Sequence, residues 1–263
     1  MKRGLAWAAL GLLLGCATPG PPGTPPPLPA DDPRPAERLA RWSAGQDERR
    51  ALRATARLAV DAEPDLRVRS KQRVVLARPA RLRVEVQGLL GATVAVLAVD
   101  DAEYAFFDSA DHRFESGPVH DDLLWNVVRL DLAPAEAVGL LLGAPALPAG
   151  LRVLAAHPAG DGRIGVVLGT GEGRRSRILD LDEQARLVRF ELFEAGAPRW
   201  VAELSDYADV GGVPLAHRVT VETRDGARAV VTLSGVELNP PLSADIFRID
   251  GLRPAAGATG EGG

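Results

Sequence analysis

Several segments of this chain alternate between polar and apolar residues with a period of two. The alternation covers residues 67–74, 81–86 and 188–192. A period of two is typical of strands that bury one face and expose the other to water. Residues 92–99 are apolar on both faces, which predicts a central strand, and residues 104–108 have the pattern of a further strand.

Turn-forming residues divide the second half of the chain into short segments. Glycine- and aspartate-containing turns recur every 10 to 14 residues after Leu151. This spacing predicts an antiparallel meander, a sandwich or a barrel, with about ten or eleven strands in all. Helices are expected over 35–50, after Asp122, and from Ala133 to Gly143. The predicted fold class is therefore mainly β, of the α+β type.

The first sixteen residues have the pattern of an export signal. Lys2 and Arg3 precede an apolar run over 5–14 that is too short to span a bilayer comfortably. The run ends in Leu-Leu-Gly-Cys16, which resembles the lipobox of signal peptidase II substrates. The resemblance implies cleavage before Cys16 and lipid on its thiol, which would anchor the protein in a membrane. The alternative is an ordinary cleaved signal that ends by chance at a cysteine.

The chain divides into four predicted parts. Residues 1–15 form the signal peptide, 16–35 the lipidated cysteine and a linker, 36–250 one domain, and 251–263 a flexible tail. Nine prolines lie between residues 17 and 35. That density predicts either a stiff spacer reaching up to about 60 Å or a disordered linker. The residue after Cys16 is not aspartate, which favours the outer membrane in the enterobacterial sorting pattern.

Composition and charge exclude several classes of function. The chain is 46% hydrophobic and 25% charged, with a net charge of −4, so neither sign dominates and no nucleic-acid partner is expected. None of the four histidines has a metal ligand at characteristic spacing. No GxSxG motif or nucleophile–base pair is visible, so the sequence predicts no enzyme, cofactor or metal site.

The segment Gly88-Leu89-Leu90-Gly91 is unusual for a loop because it places two leucines between glycines. Loop tips usually face water and are polar. Either the leucines fold into the core, or they form an exposed apolar finger that contacts lipid or an acyl chain.

Several segments, in this order, resemble the LolA/LolB family, and LolB most closely. They are the strand 83–86 leading to Leu90-Gly91, the helix end 140–145, the strand start 213–215 followed by the turn 225–226, and the closing segments 239–242 and 245–247. LolB is the outer-membrane lipoprotein that accepts other lipoproteins from a periplasmic carrier.

The resemblance implies a strongly curved antiparallel sheet that forms an incomplete barrel, lidded by short helices, with an apolar cavity for acyl chains. The family's functional leucine corresponds to Leu90, although Leu89 could equally be the tip, with Gly91 completing the contact loop. The residues expected to line the cavity are Leu82, Val84, Val86, Val94, Val96, Val188, Phe190 and Leu192.

Two functional hypotheses follow from the sequence. The first is a lipid-anchored periplasmic lipoprotein that binds acyl chains and transfers lipids or lipoproteins to the outer membrane, in contact with a periplasmic carrier. The second is a non-catalytic envelope scaffold that uses the same fold to bind proteins. A third hypothesis, a hydrolase, is disfavoured because no nucleophile–base pair is visible in the sequence.

Overall fold

The computed structural model of the protein describes residues 25–62 and 66–248. Cys16, the predicted signal peptide and the tail 251–263 lie outside the described residues. Within them are three α-helices, α1 (Arg34–Ala44), α2 (Leu123–Val128) and α3 (Pro134–Leu141), and a 3-10 turn, Ala244–Phe247. The strands are β1 (Ala51–Ala62), β2 (Leu66–Ala77), β3 (Arg81–Gln87), β4 (Thr93–Asp100), β5 (Glu103–Asp108), β6 (Arg113–Pro118), β7 (Arg152–Pro158), β8 (Ile164–Gly169), β9 (Arg175–Leu181), β10 (Leu187–Glu194), β11 (Ala197–Val210), β12 (Val213–Thr223) and β13 (Arg228–Leu238).

All thirteen strands of the described residues belong to one antiparallel sheet. Its order is β6-β5-β4-β3-β2-β1-β13-β12-β11-β10-β9-β8-β7, so the first and last strands of the chain pair at its centre. The sheet does not close, and β6 and β7 are its edges. The segment that joins these two edges contains α2 and α3. The predicted fold class is therefore confirmed.

The strand number is higher than the ten or eleven expected from the sequence. The strand β1 was missed because its pattern is weak. Its inward positions include Ala54 and Ala56, which are buried but too small to stand out as a hydrophobic stripe. The helix expected over 35–50 is also shorter than predicted, since α1 ends at Ala44 and Gly45 follows it.

The core lies on the concave side of the sheet. Along β1, Leu52, Ala54 and Ala56 alternate with half-exposed or exposed residues, as a strand with one buried face requires. The strand β4 is buried on both faces over residues 95–99, as predicted for a central strand. Its outer side contacts the 3-10 turn, whose Phe247 is buried.

The N-terminal segment is hydrogen-bonded to the part of the sheet that contains β7, β8 and β9. The Arg38 guanidinium of α1 donates to the Gly162 carbonyl at 2.6 Å and to the Leu181 carbonyl at 3.1 Å. Upstream of the helix, the Leu28 N–H donates to the carbonyl of Ala156 on edge strand β7 at 2.7 Å. This bond satisfies part of an edge that would otherwise be open to other strands.

At the end of β8, the backbone of the following turn packs so closely that it leaves no room for a side chain in place of Gly169. A Cβ added at Gly169 would lie 2.2 Å from the Arg174 backbone oxygen, whereas one added at Gly171 would meet nothing within 4 Å. Because backbone cannot move aside as a side chain can, Gly169→Ala should lower the free energy of unfolding by about 1–3 kcal/mol. Gly171→Ala, in the turn that follows β8, should change it little, and denaturant unfolding of both variants measures the difference. Equal effects would contradict this packing.

Candidate functional site: an apolar cavity

An apolar cavity of about 150 Å³ lies between the concave face of the sheet and helices α2 and α3. The strands that contribute to it are β1–β5, β12 and β13, which surround the centre of the sheet. Every lining residue except Gln72 is apolar. The Gln72 amide donates to the Ser70 hydroxyl at 3.0 Å, so this polar group has a partner of its own.

Strand and helix periodicities together produce this lining. On β3, Leu82, Val84 and Val86 are two residues apart and reach the same face. On α2, Leu124, Val127 and Val128 are three and four residues apart and therefore share one side of the helix. Valine and alanine dominate the strand positions, and their short side chains leave space that longer ones would fill.

The structure places the eight sequence-predicted cavity residues in two groups. Leu82, Val84, Val86 and Val96 line the cavity. Val94, Val188, Phe190 and Leu192 do not belong to its lining. Val94 lies at the start of β4, beside the turn that follows β3.

The other three residues belong to β10, which is six strands away from β3 in the sheet. Phe190 is buried there and stacks on Trp200 with ring centroids 5.4 Å apart. Leu192 is also buried, and Val188 is half-buried. Alternation along β10 shows which residues point inward, but it does not show which part of the core they meet.

The two candidate leucines occupy the tip of the β3–β4 hairpin. The Gly91 N–H donates to the Gly88 carbonyl at 2.9 Å, which closes a turn with Leu89 and Leu90 at its centre. Gly91 has a φ of +80°, a conformation that glycine adopts without strain. The relative exposures of Leu89 and Leu90 are 107% and 99%. Both side chains are therefore in solvent rather than in the core, and their contact with lipid stays a prediction.

A polar cluster holds the start of α3 against β11. Arg199 forms ion pairs with Asp131 at 2.8 Å and with Glu136 at 3.4 Å. Glu136 also accepts from the Trp200 indole at 3.3 Å and from the Ala133 N–H at 2.9 Å. The hydrogen bond to Asp131 raises the pKa of Arg199 above its usual value.

Sequence reasoning missed this cluster. Glu136 was visible only as an acidic residue in the first turn of a helix, and nothing along the chain linked it to Arg199. We call these four residues, Asp131, Glu136, Arg199 and Trp200, the helix latch.

A buried carboxyl lies outside the cavity, on β9. Asp180 is buried, and its Oδ1 has no hydrogen-bond partner among the described residues. A Cβ added at the intervening Gly165 would lie 2.8 Å from this oxygen and 2.6 Å from Nε2 of His157. The neighbouring side chains that affect its charge are His157, Arg163, Arg189 and Glu191. In the described part of the chain, no group of three or more histidine, aspartate or glutamate side chains could hold a metal ion.

The similarity of this chain to known proteins is found in its structure. The sequence matches no protein-family model and no curated protein. Among solved structures, a LolA superfamily protein from Nitrosomonas europaea aligns with a TM-score of 0.56 and 12% identity, over 82% of this chain and 97% of that one. This chain has the LolA-like fold.

Two further structures share the LolA-like fold. A DUF1329 family protein from Desulfovibrio piger has a TM-score of 0.56 and 11% identity, over 84% of this chain and 98% of that chain. A domain from Vibrio parahaemolyticus, described as an outer membrane lipoprotein-sorting protein domain, has a TM-score of 0.50 and 13% identity, over 82% and 95% of the two chains. The resemblance drawn from short motifs is thus confirmed for the fold. No helix of the described residues is both long and apolar enough to cross a membrane.

Removing the cation of the helix latch should loosen α3. Arg199→Met leaves Asp131 and Glu136 without their partner in a site where the arginine side chain is only 15% exposed. We expect a loss of about 1–3 kcal/mol in the free energy of unfolding and faster amide exchange over residues 131–141. Arg228→Met is the matched control, because its ion pair with Glu222 is exposed and should contribute less than about 1 kcal/mol. Unchanged exchange in α3 would show that the latch does not hold it.

Asp180 should make stability depend on pH. Burial raises the pKa of Asp180 above its usual value, because the ionised form loses its hydration. A carboxyl with a raised folded pKa favours folding while protonated, and that contribution is lost as pH rises through the folded pKa. Asp180→Asn should therefore raise the free energy of unfolding at pH 7 by about 1–3 kcal/mol and change it little near pH 3. Destabilisation at pH 7 would contradict this assignment.

Proposed function

We propose that the protein is a non-catalytic carrier that binds acyl chains of lipids or lipoproteins in the cavity beneath α2 and α3. The observation that carries this proposal is the lining itself, which is apolar at every position but Gln72. Binding of this kind needs no covalent step, because burial of apolar surface contributes about 25 cal/mol per Å². The LolA-like fold and the description of the Vibrio parahaemolyticus domain support the same class of ligand.

The cavity must widen to admit a complete acyl chain. Its volume of about 150 Å³ is below the roughly 300 Å³ at which ligand pockets usually begin. The sheet is a continuous hydrogen-bonded ladder, whereas α2 has six residues and α3 eight. Movement of these short helices away from the sheet is therefore the least costly way to enlarge the space, and the helix latch opposes it.

The location of the carrier is part of the proposal. Lipid on Cys16 would anchor the protein in the outer membrane with its domain facing the periplasm. The linker would let the domain reach a periplasmic carrier protein or the membrane surface. The exposed turn at Leu89 and Leu90 would then make the first contact with the incoming acyl chain or with lipid.

The small volume of the cavity also supports a second candidate, an envelope scaffold in which the space stays closed. Such a protein would bind partners through its surface and hold no lipid. The two functions differ in what the cavity accepts, so a single binding measurement separates them.

Filling the cavity should abolish acyl binding. The experiment uses the chain from Ala17 onward, which retains all described residues, purified in the absence of detergent. We expect it to bind a fluorescent C16 fatty acid, and Val84→Phe to weaken binding at least tenfold, because the added ring occupies the space that the acyl chain needs. Val188→Phe, the same change at a half-buried strand position outside the lining, is the control.

Two results would overturn the proposal in favour of the scaffold. The first is the absence of fatty-acid binding to the unmodified chain, together with no co-purifying acyl species in native mass spectrometry. The second is equal binding by the Val84→Phe and Val188→Phe variants, which would place the fatty acid elsewhere on the protein.

A further inference from the structure

Three cations cross the outer face of the sheet in a single row. The strand register places Gln87 of β3 opposite Lys71 of β2, and Lys71 opposite Arg57 of β1. Arg57 pairs in turn with Thr232 of β13, and Thr232 with Arg218 of β12. We call Lys71, Arg57 and Arg218 the cationic row.

The row lies on the convex side, away from the cavity. Gln72, Leu58 and Val219 directly follow the three cations in sequence and line the cavity. Successive side chains of a strand point to opposite faces, so the cations project from the other side. Arg57 and Lys71 are exposed, and Arg218 is half-buried.

The charges of the row are not compensated within the described residues. Neighbouring arginines form ion pairs on the same face: Arg69 with Asp61, and Arg228 with Glu222. None of the three cations of the row has such a partner there. Like charges directly opposite each other on adjacent strands are destabilising, and Arg57 faces Lys71 in this way. With strands about 4.8 Å apart, the row extends about 14 Å from Lys71 to Arg218, which is wide enough to meet several anionic groups.

The row ends beside the exposed leucine turn. Gln87, its neighbour on β3, is followed directly by Gly88 and the turn that carries Leu89 and Leu90. The Lys71 end of the row therefore lies next to the turn that carries the two leucines. Apolar side chains next to basic ones are typical of surfaces that dock on anionic membranes, where the apolar groups enter the acyl boundary and the cations meet phosphates.

We propose that the cationic row and the Leu89–Leu90 turn form one docking face for a membrane surface of anionic phospholipid. The row supplies the phosphate contacts, through two guanidinium groups and one ammonium group, and the turn supplies the apolar contact. The choice of a lipid surface over an acidic protein rests on the leucines, and so on the lipid contact in the proposed function. The row itself is independent of the cavity.

Vesicle binding by charge-matched variants tests the docking face. The chain from Ala17 onward is measured against vesicles of phosphatidylcholine alone and of phosphatidylcholine with phosphatidylglycerol. The test variant is the triple substitution Arg57→Gln, Lys71→Gln and Arg218→Gln. The control is the triple substitution Arg50→Gln, Arg152→Gln and Arg175→Gln, which removes the same charge from exposed sites outside the row. Unfolding temperatures of all variants verify that they fold.

We expect the test variant to lose at least tenfold in affinity for the anionic vesicles, together with most of the salt dependence of binding. The control variant should lose less than twofold. A double Leu89→Ser and Leu90→Ser variant should bind vesicles of both compositions more weakly. Equal losses in the two triple variants would overturn the proposal, because net charge would then explain the binding. If the test variant instead lost binding to soluble polyglutamate while its vesicle binding stayed intact, the row would be assigned to an acidic protein. That result would also overturn the proposal.

The fluorescent fatty acid distinguishes this inference from the proposed function. The test variant should bind the fatty acid as the unmodified chain does, since the row does not line the cavity. Row-dependent vesicle binding without any fatty-acid binding would refute acyl binding in the cavity but would support the docking face. Fatty-acid binding without row-dependent vesicle binding would refute the docking face alone.

Discussion

The structure depends on covering the apolar concave face of an open sheet. A thirteen-stranded antiparallel sheet that does not close has one side on which its buried residues would otherwise meet water. The segment between its edge strands supplies the cover, as α2 and α3. The cover is incomplete, because short valine and alanine side chains leave a cavity beneath the helices. The same geometry that stabilises the fold therefore also creates the apolar cavity.

Polar contacts limit how freely this cover can move. The helix latch joins the start of α3 to β11 by ion pairs and an indole hydrogen bond. Breaking an ion pair that is partly shielded from water costs more free energy than breaking an exposed one. On the convex face, by contrast, the cations of the cationic row form no ion pairs with other described residues. In the functions proposed above, the concave side would meet an acyl chain and the convex side would meet phosphate groups.

Much of the fold was predictable from the sequence, because strand alternation and turn residues are local signals. The inward positions of β3 were identified correctly, and so was the doubly buried β4. What could not be predicted was distance across the sheet. Phe190 points inward as expected, yet it stacks on Trp200 outside the cavity lining. The pairing of β1 with β13 decides which parts of the core meet. The cationic row and the helix latch likewise depend on contacts between distant segments.

The most direct test of acyl binding in the cavity is to locate a bound acyl chain. A C16 fatty acid with a photoreactive group on its terminal carbon can be cross-linked to the detergent-free protein, and the labelled residues identified by mass spectrometry. We expect labels on the cavity-facing residues of β1–β4, α2 and α3, such as Val84 and Leu140. Labels confined to the outer face of the sheet, or none at all, would show that the cavity does not hold the acyl chain.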